Sequence, residues 1–313
     1  MAQLIPDEID FGAYMGATEF KAKVRPASAF TDDVRFNHAR KGKARSPSMW
    51  STSIRNAIEF RPGEVTVWAG FNGHKKSMFT GQLALDLCQQ RERTLMVSLE
   101  MEPWRTLERM AQQACATPAP CDSPMFDDFS RWTDGRLWMF DHVGRLTPDR
   151  AIALCRYFAN DLQGSQVFID SFMKVVQSEE SMDEQKAMVG NITDVAKETG
   201  LHIHMVAHCR KPNGGGEDKP PTKYDIKGSG AISDQCHNIC MVWENKVRRA
   251  EAEKAIPNED VMAKPDAIIS IEKQRNGRTE GKFGMWFDER TLRFCDDRLA
   301  TVEPYPLYED GAP

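Results

Sequence analysis

The chain has 313 residues, enough for one large α/β domain with extensions or for two small domains. Hydrophobic residues make up 41% and charged residues 28%; no apolar run approaches a membrane span, and the acidic start MAQLIPDEIDFGAY does not read as a signal peptide. Net charge is −5, so a polyanion would have to be held by local basic patches rather than by the field of the whole molecule.

Residues 1–60 are weakly periodic and include the basic stretch RFNHARKGKARS (35–46), which reads as a solvated linker. From residue 61 the pattern changes. RPGEVTVWAG gives a turn and a β-rich run, and Phe79, Leu83 and Leu87 then share one helical face. Further short apolar runs follow at 94–100, 137–142, 166–170, 203–208, 239–244 and 268–275, several separated by helical spacing. Buried strands alternating with helices predict a parallel or mixed sheet covered on both faces. FGMWFDERTLRF (283–294) predicts a C-terminal β-hairpin with DER at its turn. The eight cysteines lack paired zinc spacing; CHNIC (236–240) reads as core packing, and free thiols suit a reducing cytoplasm.

The stretch GFNGHKKS (70–77) lies between a strand and a helix and nearly matches the phosphate-binding pattern G-x-x-x-x-G-K-[ST]. Such a loop aims backbone N–H groups and a helix N-terminus at phosphates, with an ammonium reaching the β and γ oxygens. Ser77 fixes the frame: Lys76 is the phosphate lysine, Ser77 the Mg²⁺ hydroxyl and Gly70 the first glycine. Asn72, Gly73, His74, Lys75 and Met78 complete the loop. Lys75 stands where the pattern has glycine. It is expected at negative φ with its side chain turned from the nucleotide, adding a cation near the polyphosphate.

Ligands of open α/β sheets bind at the carboxyl ends of strands, and Glu100, Asp170, His208 and Arg275 end predicted strands. Asp170 suits Mg²⁺ and Glu100 the activation of water; a helix cap and an exposed strand-end glutamate are the bland alternatives. His208 could feel a γ-phosphate, although a lone histidine is more often structural. Lys273 and Arg275 could act on a neighbouring subunit's nucleotide, or be surface residues. The loop 209–230 carries Arg210, Lys211, Lys219, Lys223 and Lys227 among glycines and prolines, which suits a phosphate backbone. Glu217, Asp218 and Asp225 dilute that charge, and the aromatic residues do not suggest a base-stacking platform.

In order and content, GFNGHKKSMF, VSLEME, VFIDS, VAHCRKP, DIKGSGAISDQCHNI and EKQRNGRTEGKFGMWF resemble the RecA-like replicative helicases, the DnaB and Twinkle family, and most nearly the helicase half of phage primase-helicases. The resemblance runs from about residue 50 to 295. It implies a RecA-like P-loop NTPase core with a mostly parallel sheet flanked by helices. It assigns Lys76, Ser77 and Asp170 to phosphate and Mg²⁺, Glu100 to the catalytic base and His208 to the γ-phosphate. Lys273 and Arg275 would act in trans across a hexameric ring, and Phe287 would face the adenine. Gly228 and Ser229 join the basic residues at single-stranded DNA.

ATP and Mg²⁺ are the implied cofactors, and the chain itself, with a primase, polymerase or single-strand-binding protein, the implied partners. Residues 1–60 are expected as an arm that could pack on the adjacent subunit through 47–60, residues 61–296 as the motor, and 297–313 as an acidic, flexible tail. The short arm would suit a phage or mobile element and a cytoplasmic helicase. A loader, annealing factor or scaffold that hydrolyses weakly is the alternative that Lys75 favours; a filament-forming recombinase fits less well with KQRNG and DIKGSGA.

Overall fold

The computed structural model describes residues 10–15, 26–31, 35, 46–176, 181–211 and 216–307; most of the basic linker (36–45) and the last six residues lie outside these. All nine predicted strands are present: β1 Val65–Gly70, β2 Thr94–Ser98, β3 Leu137–Met139, β4 Gln166–Asp170, β5 His202–His208, β6 Asn238–Glu244, β7 Ala267–Gln274, β8 Gly281–Asp288 and β9 Arg293–Cys295. They form one sheet in the order β3-β2-β4-β5-β1-β6-β7-β8-β9. The six strands from β3 to β6 are parallel. The last three are antiparallel, and β8 and β9 form the expected hairpin, with Phe287 opposite Phe294.

The described helices are α1 Phe11–Met15, α2 Lys76–Gln89, α3 Pro103–Cys115, α4 Met125–Thr133, α5 Pro148–Asn160, α6 Met182–Thr199, α7 Ser229–Gln235, α8 Lys246–Ala252 and α9 Glu259–Met262. Their ends follow the sequence. Pro148 opens α5, and Ser181 caps α6 by accepting the Glu184 N–H at 3.3 Å. Gly200, at φ 76°, closes α6 in the left-handed conformation a side chain would resist.

Strand β1 shows why the sheet is buried on both faces. Val65, Val67 and Ala69 face one core with residues of α5 and α6, among them Leu154, Phe158, Val189 and Ile192. Trp68 faces the other, packed by Phe79 and Leu83 of α2 and by Met110 and Ala111 of α3. Met49, Ile54, Ile58 and Phe60 join this second core, so residues 47–60 pack within their own domain. The acidic tail, expected to be flexible, is docked up to Leu307. Tyr305 and Leu307 are buried in the same core, the Tyr305 N–H donates to the Ala114 carbonyl at 2.8 Å, and Arg293 lies over the Tyr305 ring.

The reversal of β7 corrects one expectation. Gln274 pairs with Asn238, which pairs with Thr66 at the start of β1. Lys273 and Arg275 therefore sit at the amino edge of the parallel strands, opposite the phosphate loop, rather than beside Glu100, Asp170 and His208. Cys236 and Cys240 are buried and free, in keeping with core packing. Among the described residues no cluster of His, Cys, Asp or Glu could hold a metal ion, and no helix is long and apolar enough to cross a membrane.

Candidate active site

Strands β2, β4, β5 and β1 are neighbours, so residues at their carboxyl ends converge. A cleft of about 870 Å³ there is lined by the loop from Asn72 to Met78 together with Glu100, Asp170 and His208. Gly70 starts the loop because nothing larger fits: a Cβ would lie 2.2 Å from the Val242 carbonyl oxygen of β6. Gly73 turns the chain at φ 75°. His74 is fully buried and turned away from the cleft. Its Nδ1 accepts the Glu244 N–H at 3.0 Å, and its Nε2 meets Glu217 of the basic loop at 2.9 Å. Only its backbone can serve a ligand.

Lys75 departs from expectation. It adopts φ 57°, the left-handed conformation that glycine would take at this position. Its side chain does turn from the cleft: the ammonium is 3.3 Å from Glu244, 3.0 Å from Glu289 and 4.2 Å from the centre of the Phe287 ring. The loop therefore keeps the turn that a glycine would permit, at a conformational cost borne by a lysine. Lys75 and Phe287 line a second cavity of about 630 Å³, and Lys75 and Arg249 are common to both cavities. Phe287 is thus placed beside the phosphate loop, as the sequence anticipated, with the Lys75 ammonium on its ring.

Lys76 is buried, and its ammonium donates to the Gly70 and Phe71 carbonyls at 3.2 and 2.7 Å. The Ser77 hydroxyl donates to Asp170 Oδ2 at 2.5 Å. Burial pushes Lys76 down from the ordinary lysine range and Asp170 up from the ordinary carboxylate range, so both are desolvated charges. Glu100 accepts from the Ser171 hydroxyl at 2.6 Å and lies 3.4 Å from His208 Nε2. The His208 hydrogen bond above all, with Ser171 assisting, holds Glu100 down at about 2. His208 Nδ1 is buried without a partner.

The remaining predicted residues lie elsewhere. Lys273 donates to the Ser233 carbonyl and Arg275 to the Asp234 carbonyl at 2.7 Å, both at the end of α7 and away from the cleft. Arg210, Lys211, Lys219 and Lys227 are exposed on the basic loop, Lys223 is half-buried, and Gly228 caps α7 at φ 74°. Ser229 opens that helix.

Residues 55–296 match the family of DnaB-like helicase C terminal domains. The chain belongs to that family. A solved helicase-type ATPase domain superposes with a TM-score of 0.70 at 15% identity, covering 88% of this chain and all of the other. A DnaB-like replicative helicase, solved in a study of its interactions with primase, gives 0.66 at 15% identity, covering 87% of this chain and 67% of the other. The RecA-like fold expected from the motifs is therefore the fold observed.

In this DnaB-like domain the donor set fits the group that the family implies. A serine hydroxyl and a carboxylate in hydrogen-bond contact are hard oxygen donors of the kind Mg²⁺ takes, and a desolvated lysine beside them suits phosphate. Sequence reasoning missed Ser171, Lys174 and Arg109, which reach the cleft or Glu100 from loops and from α3. Ser171 had a signal, its place next to Asp170. The link from His74 to Glu217 spans 143 residues and had none.

Proposed function

We propose that this DnaB-like domain is an ATP-driven motor that assembles into a hexameric ring, translocates on single-stranded DNA and unwinds duplex during replication. The observation that carries the reading is the convergence of Lys76, Ser77, Asp170, Glu100 and His208 on one cleft. Lys76 would exchange two loop carbonyls for the β and γ oxygens of ATP. Ser77 and Asp170 would hold Mg²⁺, which when bound neutralises charge developing on the phosphates. Glu100 is ionised but over-stabilised, and so a weak base while His208 holds it. A γ-phosphate that drew His208 Nε2 would remove the largest cause of that depression and free Glu100 to activate water.

Arg275 and Lys273 cannot serve the cleft of their own subunit from the far edge of the sheet. Their use as a finger on a neighbour's nucleotide is the reason to propose a ring. Residues 61–296 form the motor in this reading, with the preceding segment as its arm. A primase, polymerase or single-strand-binding protein is the class of partner for such a motor, working in the cytoplasm. The weakly hydrolysing loader, annealing factor or scaffold is the second reading. Lys75 favours it, but Lys75 keeps the turn and leaves the cleft open.

The test is hydrolysis of ATP with and without single-stranded DNA. Hydrolysis stimulated by DNA and lowered on the order of a hundredfold or more by Lys76→Ala and by Glu100→Gln is the expected result. A parent protein that DNA does not stimulate, or variants that hydrolyse as the parent does, would sink the assignment.

A further inference from the structure

The basic loop between β5 and α7 carries three acids that seemed to dilute its charge, and the structure shows where two of them go. Glu217 turns inward, where one oxygen meets His74 Nε2 at 2.9 Å and the Lys246 ammonium at 2.6 Å. Asp225 closes a capping box, accepting the Thr222 N–H at 2.7 Å and its hydroxyl at 2.9 Å. Only Asp218 is left exposed, against Arg210, Lys211, Lys219 and Lys227. The outward charge of the described loop is therefore positive.

Tyr224 stands among these cations. It is 73% exposed, with the Lys223 ammonium 5.5 Å from its ring centre. The turn that carries it is pinned. Ile226 is fully buried and bridged to Cys209, the Arg210 N–H donates to the Asp225 carbonyl at 2.7 Å, and the Lys227 N–H donates to the His208 carbonyl at 2.9 Å. An aromatic ring held out by a fixed turn and ringed by ammonium groups matches a strand of alternating flat bases and phosphates. A protein partner would need an apolar patch around the ring, and the neighbouring Thr222, Lys223, Asp225 and Lys227 are polar.

We propose that Tyr224 is a base-stacking residue for single-stranded DNA, flanked by lysines that hold the phosphates; this rests on the reading of the domain as a DNA motor. Stacking serves any base, so the contact is independent of sequence. It is also joined to the cleft, because the turn bonds directly to the backbone of His208.

The experiment compares, by fluorescence anisotropy on the full chain, binding of an oligothymidine and of an abasic strand of equal length across a salt series. Tyr224→Ala is expected to weaken oligothymidine binding on the order of tenfold and to leave the abasic strand and the salt slope unchanged. Tyr224→Trp is expected to retain the affinity, and an iodouracil strand to crosslink at Tyr224. Equal loss on both strands, or unchanged oligothymidine binding, overturns the stacking role while the motor reading stands; the unchanged case leaves the ring as a protein contact. A parent that binds neither strand overturns both.

Discussion

The two edges of the sheet are both rich in polar residues, and they treat them differently. Toward the amino edge, His202 and His204 of β5 are buried and partnered. His202 donates through Nδ1 to the Arg61 carbonyl at 2.7 Å and accepts the Thr66 hydroxyl at 2.8 Å; His204 accepts the Trp68 indole N–H and meets Gln166, both at 3.1 Å. At the carboxyl edge Glu100 is 39% exposed, His208 leaves one nitrogen unpaired, and Lys76 makes do with carbonyls of its own loop. Buried polar groups that find all their partners inside the fold specify structure. Polar groups that converge on an open cleft with partners to spare are placed for something that arrives.

Arg275 is the residue most able to break this division, since it lies at the amino edge yet is assigned to chemistry. If it works in trans, Arg275→Ala lowers hydrolysis by about a thousandfold or more with little loss of stability. Mixing Arg275→Ala with Lys76→Ala subunits then restores activity, because some interfaces unite an intact Arg275 with an intact Lys76. Mixtures no more active than their components would return Arg275 to the structural side.

Trp68 tests the structural side itself. It is fully buried and packs against Phe60, Phe79 and His204. Trp68→Ala is expected to cost about 3–5 kcal/mol in a denaturant melt. A loss below about 1 kcal/mol would mean that this edge is not the packed support it resembles.

Acid should separate the edges as well. Burial pushes His202 down to about 3 and His204 well below its usual value. A depressed histidine is neutral when folded but takes a proton when unfolded below about 6.5, so its stabilising effect is full above that pH and is lost as pH falls. The loss is at most about 1.4 kcal/mol per pH unit for each histidine. A thermal midpoint that holds near neutrality and falls between about pH 6.5 and 5, less steeply in His202→Gln, is the expected profile. A flat profile would show that these rings are not held neutral.

Much of this is legible in the sequence. All nine strands announce themselves as short apolar runs, because strands buried on both faces leave no room for polar residues. An apolar run carries no direction, however, so nothing marks β7 as reversed, and Arg275 reads onto the wrong edge. The docked tail is hidden by its acids: Glu303 and the aspartates suggest solvent, while two residues, Tyr305 and Leu307, supply the burial. In the cleft, residues that end strands are legible by position. Lys174 and Arg109 arrive from elsewhere in the chain and can be found only in three dimensions.

Lys75 predicts the smallest effect and the one that separates backbone from side chain. At φ 57° a side chain costs about 1–2 kcal/mol relative to glycine, while the ring contact and two carboxylates return on the order of 1 kcal/mol. Lys75→Gly relieves the first and loses the second, so its net effect on stability should lie near zero. Lys75→Ala keeps the strain and loses the contacts, and should be about 1 kcal/mol less stable than Lys75→Gly in the same melt. A glycine variant no more stable than the alanine variant would mean that residue 75 does not hold the left-handed turn. If the difference appears, the lysine is kept at that cost for what its ammonium does between Glu244, Glu289 and Phe287, at the junction of the phosphate cleft and the neighbouring cavity.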